Sequence, residues 1–388
     1  MSDATEALAE RITRRTHHPD VLDLLGRQLQ PTDLQSLLLS VYDQRSKRLS
    51  AADVWRRAAQ QALVHPSPLD LRAVLELDRL ILDAVDAGFE AVELSPLCPF
   101  GLNTALANTS QKKIVSTVRN NEVVSDLGTA LALEACNRRV RQPGMADRVV
   151  RLCTSHRAVR AQSYPKHLGF TPHFRVFGML SADNRNNFNH RFVGAALFEH
   201  IRQYLLIFAA ANRDGYCIRD LVITIADVSI TEALIAQHGF DRDAVRARTL
   251  AGDGRLFDAD APIATTVDDV DAISVDVQKR YGIGHQIKRL ALASQPLRET
   301  LRREFPNVRI RFALDRIGGM GHYKDVCFKI DGVNAAGRSF PLVDGGTTDW
   351  MAKMLANGHE RCMVSGVGTE LFCREYRCAP PRNDASAR

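Results

Sequence analysis

The arginines of this chain crowd into one stretch, with Arg138, Arg139, Arg141, Arg148, Arg151, Arg157, Arg160 and Arg175 close together in sequence. A planar guanidinium fork pairs bidentately with phosphate or carboxylate, so such a group on neighbouring strands can hold a nucleotide triphosphate; the plainer reading is a solvated basic face. Two glycine-rich segments further on are more specific, Asp344-Gly345-Gly346-Thr347-Thr348-Asp349-Trp350 and Ser365-Gly366-Val367-Gly368-Thr369-Glu370. Glycines flanked by acids let a backbone approach a ligand closely, although a lone Gly-x-Gly is as often a turn. His359, Cys362, Cys373 and Cys378 gather near the end of the chain. Zinc sites use ligand pairs about two to four residues apart, and only Cys373-x4-Cys378 approaches that spacing, so no metal site is expected.

Elements must position these residues. The 388 residues, 45% hydrophobic and 25% charged, are enough for two or three structural units with a sizeable core. The longest wholly apolar run, Tyr204 to Ala211, is far short of the ~20 residues that cross a bilayer, and the N-terminus carries no apolar signal core. A cytoplasmic chain with no membrane partner and reduced cysteines is expected. The formal net charge of +6 suits an anionic ligand without marking a nucleic-acid binder.

Leu22, Leu25 and Leu29, then Leu34, Leu37, Leu38 and Val41, then Val54 and Trp55 recur at helical spacing, which predicts an N-terminal helical extension over 1–68. His65-Pro66-Ser67-Pro68 interrupts it, because proline blocks helix interiors. The period resumes through Leu71, Val74, Leu75, Leu77, Leu80, Ile81 and Ala84 and stops at Gly88. β-Patterned runs are expected at 113–119, 122–125, 148–154, 174–180, 221–228, 310–314 and 326–330, with helices over 129–141 and 195–211. Residues 238–276 read as an inserted, partly mobile segment and 379–388 as a polar tail. The mixture predicts an α+β domain over 69–378 on an antiparallel or mixed sheet flanked by helices.

The order of these elements resembles the catalytic domain of class II aminoacyl-tRNA synthetases, and within it the histidyl-tRNA synthetase branch with the ATP phosphoribosyltransferase regulatory subunit. The helix before Gly88 and the continuation to Ser95-Pro96 resemble motif 1, which implies a homodimer. Ser155-His156-Arg157-Ala158-Val159-Arg160, a loop, then His173-Phe174-Arg175-Val176-Phe177 resemble motif 2, two antiparallel strands whose arginines hold ATP phosphate and whose phenylalanine stacks on adenine. The two glycine-rich segments resemble motif 3 and the strand before it. The resemblance implies Arg157 and Arg175 as catalytic arginines, with Arg160, Phe177, Gly366, Gly368 and Glu370 holding ATP and Mg2+. It also implies Asp126 and Thr129, in Ser125-Asp126-Leu127-Gly128-Thr129, together with His322, Tyr323 and Asp349 as amino-acid ligands. The chemistry would be in-line attack of a carboxylate on the α-phosphorus to give an acyl-adenylate.

Departures from the pattern shape the function expected. The motif 2 glutamate position holds Val159, and the motif 3 arginine is Leu371. The histidine-recognition segment is matched only by Arg316-Ile317-Gly318-Gly319-Met320-Gly321-His322-Tyr323, which implies an altered ligand. Only 18 residues follow Glu370, too few for an anticodon-binding domain, so tRNA is not expected as a partner. Two functions follow. One is an ATP-dependent ligase that activates an amino acid or related carboxylate for a small-molecule, protein or carrier acceptor, favoured by the motif 2 arginines and phenylalanine. The other is a non-catalytic relative that senses an amino acid, favoured by Leu371 and Val159.

Overall fold

The two longest paired strands grow out of the arginine-bearing stretch, where β-branched and aromatic residues alternate with polar ones. The computed structural model describes residues 2–141, 144, 148–162, 171–185, 189–250, 254–257 and 263–378. Its strands are β1 (Glu90–Ala91), β2 (Leu97–Pro99), β3 (Asn121–Val123), β4 (Val150–Val159), β5 (His173–Asp183), β6 (Arg219–Asp227), β7 (Thr266–Val267), β8 (Arg309–Ala313), β9 (Val326–Val333), β10 (Ser339–Thr348) and β11 (Arg361–Gly368). Nine of them form one sheet in the order β1-β4-β5-β11-β10-β9-β6-β8-β7, while β2 and β3 make a separate ribbon. Pairing in the large sheet is antiparallel except at β1–β4 and β6–β8. This is the α+β architecture expected.

Successive side chains on a strand point to opposite faces, so the sheet divides two cores. Cys153, Phe177 and Met179 enter the first, with helices Leu71–Ala84 and Asn189–Arg213; Leu152, Leu180 and Ala182 enter the second, with helices Leu127–Arg141 and Trp350–Leu355. The Leu71–Ala84 helix starts at Asp70, whose carboxylate accepts the Arg72 N–H at 3.0 Å. Segment Arg191–Arg213 is long and apolar enough to cross a membrane, but its Leu197, Ile201, Tyr204 and Phe208 are fully buried in the first core.

One expectation is corrected. Residues 113–119 form no strand; Gln111–Lys113 is a 3-10 turn, and Ser116 makes only an isolated bridge to Glu122. The buried Glu122 carboxylate organises this region instead, accepting the N–H groups of Gly101 and Asn103 at 3.0 and 3.1 Å and the side-chain amide of Asn103 at 2.8 Å. Residues 238–276 carry helix Arg242–Leu250 and strand β7, which closes the sheet edge on β8. Parts of that segment, and the tail 379–388, lie outside the described residues.

The N-terminal region is helical as expected, with Ser2–Arg15, Pro31–Ser46 and Ala51–Ala58. None of its elements between Val21 and Val64 buries a residue. It touches the sheet domain through Asn120, whose amide donates to Pro31 O and Gln35 Oε1 at 3.3 Å, and through the His173 ring, 2.6 Å from His65 O.

Candidate ligand-binding site

The β4–β5 register decides which residues of these two strands can meet a ligand. Arg157 lies opposite Arg175, Ser155 opposite Phe177, and Ala158 opposite Phe174. Arg157, Arg175 and Phe177 therefore share the first face, where each already has a structural partner. Arg157 Nη2 donates to Glu370 Oε1 at 2.5 Å and its Nη1 lies 2.8 Å from His173 Nδ1. Arg175 Nε is 2.6 Å from Asp78 Oδ2 and 3.1 Å from Ser155 Oγ, which itself donates to Asp78 Oδ1 at 2.6 Å. Phe177 is 0% exposed, its ring edge-on to Tyr204 at 6.5 Å. These contacts tie helices Leu71–Ala84 and Thr369–Tyr376 to the sheet. They correct the expectation that Phe177 stacks on a base: a ring enclosed by hydrocarbon has no free face. Glu370 is likewise buried against Arg157.

The second face carries a different set. Arg160 continues the parity of Ala158, and its guanidinium lies 5.3 Å from the Phe174 ring centroid. Its Nε donates to Ser125 O at 3.0 Å, and Nη2 is 3.8 Å from Asp126 Oδ2. Asp126 Oδ1 accepts the Gly128 N–H at 2.9 Å, while the Thr129 hydroxyl is buried between Asn103 Oδ1 and Asp126 O. Thr129 thus fastens the start of helix Leu127–Arg141. Arg316 Nη2 donates to Asp344 Oδ1 at 2.8 Å and its Nε to Gly318 O at 2.9 Å. Arg316 is only 7% exposed, and Nη1 has no hydrogen-bond partner among the described residues. The Tyr323 hydroxyl donates to the same Asp344 oxygen at 3.1 Å. Burial, reinforced by the Asp344 charge, pushes the Tyr323 phenol well above its usual range, so it stays a donor. The Asp344 side chain remains 54% exposed.

The glycines floor this face. Gly178 and Gly366 are register partners, with Asp344 opposite Gly366 on the next strand. A Cβ on Gly178 would lie 2.8 Å from Leu127 Cδ2, and one on Gly346 would lie 2.8 Å from Tyr323 Cδ1. Glycine at 178 and 346 is therefore required by the chain's own side chains. Gly319, at φ 90°, turns the loop that brings His322 edge-on to Trp350 and Tyr323, at 4.8 Å from each. Asp349 pairs with Lys353 at 2.9 Å and Lys324 at 3.7 Å, and Gly368 caps helix Thr369–Tyr376. Of the residues expected from sequence, the fold groups Asp126 with Arg160 and Tyr323 with His322 on the second face, and separates Arg157, Arg175, Phe177 and Glu370 from them.

Sequence reasoning missed Arg316, Phe174, Asp344 and His156 as site candidates. His156 is buried on the second face, and its Nε2 lacks a hydrogen-bond partner among the described residues. Burial lowers its pKa, which favours a neutral ring. Counting back by twos from Arg160 would have flagged His156. Nothing in the sequence says which arginine to count from. His359, Cys362, Cys373 and Cys378 do not converge, and no metal-ligating group of three is present among the described residues.

No protein-family model and no curated protein matches the chain. Solved structures do. A histidine–tRNA ligase subunit from Alicyclobacillus acidocaldarius superposes with TM-score 0.57 at 14% identity, covering 80% of this chain and 95% of that one. Histidyl-tRNA synthetase from Nostoc sp. PCC 7120 gives TM-score 0.57 at 13% identity over 80% and 73%. An ATP phosphoribosyltransferase regulatory subunit/histidyl-tRNA synthetase from Bacillus halodurans gives 0.54 at 15% identity over 81% and 82%. Identities this low speak for architecture alone, and the architecture is the class II synthetase-like fold of the histidyl-tRNA synthetases and the ATP phosphoribosyltransferase regulatory subunit.

Proposed function

We propose that this chain binds an amino acid on the second face of its sheet and does not adenylate it. The observation that carries this reading is the Arg316 guanidinium, buried, held at two nitrogens and without a partner at the third among the described residues. An unsatisfied buried donor costs on the order of 1–3 kcal/mol, more for a charged group, and a ligand carboxylate would relieve it. Asp126 and Asp344 supply negative charge for an ammonium group, and Arg160 a second cation. A site with both signs suits a zwitterion.

The residues expected to clamp ATP and Mg2+ do not fit that task. Arg157 and Arg175 are neutralised by Glu370 and Asp78, Phe177 is enclosed, and Leu371 stands where the resemblance calls for an arginine. One observation favours the second reading, acyl-adenylate formation for a non-tRNA acceptor. Arg160 and Phe174 form an arginine–aromatic couple three residues from the pair first expected.

The two are separated by a thermal-shift titration against a panel of amino acids, run beside a pyrophosphate-exchange assay with ATP. One amino acid should raise the unfolding midpoint, with about 2.7 kcal/mol of stabilisation at a hundredfold excess over Kd, and labelled pyrophosphate should not enter ATP. Exchange supported by any carboxylate would overturn the non-catalytic reading, and a panel without a single shift would overturn amino-acid binding.

A further inference from the structure

Two cysteines away from the candidate site lie on paired segments where helix Asn189–Arg213 leads into β6. Tyr216 and Arg377 form an isolated antiparallel bridge; Cys217 N–H donates to Tyr376 O at 2.8 Å and Cys378 N–H to Gly215 O at 2.9 Å. Cys217 therefore lies opposite Tyr376, two residues from Cys378, which makes the cysteines diagonal neighbours on one face. The Cys378 thiol turns back to the Tyr376 carbonyl at 3.8 Å, the same oxygen that the Cys217 N–H meets.

The other six cysteines are buried, whereas Cys217 is half-buried and Cys378 exposed. Burial pushes the Cys98 and Cys153 thiols up to about 11 and those of Cys136, Cys327 and Cys362 up to about 12, which leaves them poor nucleophiles. Access for a solvent-borne oxidant is thus greatest at this pair.

We infer that Cys217 and Cys378 form a thiol–disulfide redox site, oxidised by a small-molecule disulfide such as oxidised glutathione. The exposed Cys378 thiolate attacks one sulfur of the small disulfide, forming a mixed disulfide and releasing one thiol. The Cys217 thiolate then attacks the Cys378 sulfur and releases the second thiol. Two electrons pass from the protein pair to the small disulfide, whose sulfurs leave with the two protons. Diagonal neighbours stand somewhat farther apart than a disulfide spans, so closing the bond draws the exposed Cys378 segment toward Cys217. The bond pins the end of helix Thr369–Tyr376 to the start of β6, and that helix carries Glu370, the partner of Arg157.

The test exposes the folded full chain to a series of oxidised-to-reduced glutathione ratios, followed by alkylation, intact mass and peptide mapping. The wild type should lose two alkylatable thiols, both mapping to 217 and 378, with no lasting adduct and a raised unfolding midpoint. Cys217→Ser should retain glutathione on Cys378, and Cys378→Ser should remain unmodified. Cys217→Ala serves should the serine variant not fold. A persistent adduct on Cys378 in the wild type, or two free thiols at every ratio, overturns the proposal.

Discussion

Arginines 157 and 160 stand three positions apart and have opposite duties. Arg157 faces helix Thr369–Tyr376 and is consumed by the 8%-exposed Glu370, whereas Arg160 lies on the second face beside Phe174 and Asp126. Replacing Arg160 with Ala should weaken amino-acid binding about ten- to a hundredfold, the range of a lost charged hydrogen bond, with little change in melting temperature. Replacing Arg157 with Ala should do the reverse, leaving affinity intact and lowering the midpoint, because it strands a buried carboxylate. Calorimetric titration and thermal unfolding of the two variants check both halves. Tyr323 was legible through the resemblance, whereas Arg316, in the same segment, was not singled out as a ligand. Phe174 was not, because both phenylalanines of His173-Phe174-Arg175-Val176-Phe177 suit an aromatic role and only the docked helices say which one is covered.

The element that joins the helix layer to the sheet carries a buried polar group whose titration reports its packing. His200, on helix Asn189–Arg213, is fully buried, with Nδ1 2.7 Å from Ser365 Oγ on β11 and Nε2 3.0 Å from Ser181 Oγ on β5. Burial depresses its pKa from 6.5 to about 3. A depressed folded-state pKa means that the unfolded chain takes up the proton first. This contribution is therefore intact above pH 6.5 and is lost as pH falls toward 3. Urea unfolding at pH 7 and pH 5 should differ by about 2 kcal/mol from this group, since each pH unit below the unfolded pKa is worth about 1.4 kcal/mol. His200→Gln should flatten that slope. The helix itself was legible from its apolar run. Its register on the sheet was not, because the serines that receive His200 lie far off in sequence.

Exposed apolar side chains are unevenly spread over the molecule. Leu71, Leu75 and Leu82 line one side of helix Leu71–Ala84, while Ala73, Val74, Leu77 and Ile81 are buried, and the N-terminal helices add Val54, Trp55 and Val64. Such a patch is costly in water, and a self-complementary helix face suits a two-fold dimer. Sedimentation should find a dimer, and Leu75→Glu should convert it to monomer without unfolding it. A monomeric wild type at micromolar concentration would refute this. The sequence by itself determined the α+β class, the helices over 71–84 and 195–211 and most strands of the large sheet, because each is written in local periodicity. Only the tertiary structure decided which side chains of β4 and β5 are covered by docked helices and which stay partly exposed. A strand presents alternate residues to opposite sides, and the side left for a ligand is fixed by helices that dock from distant parts of the chain.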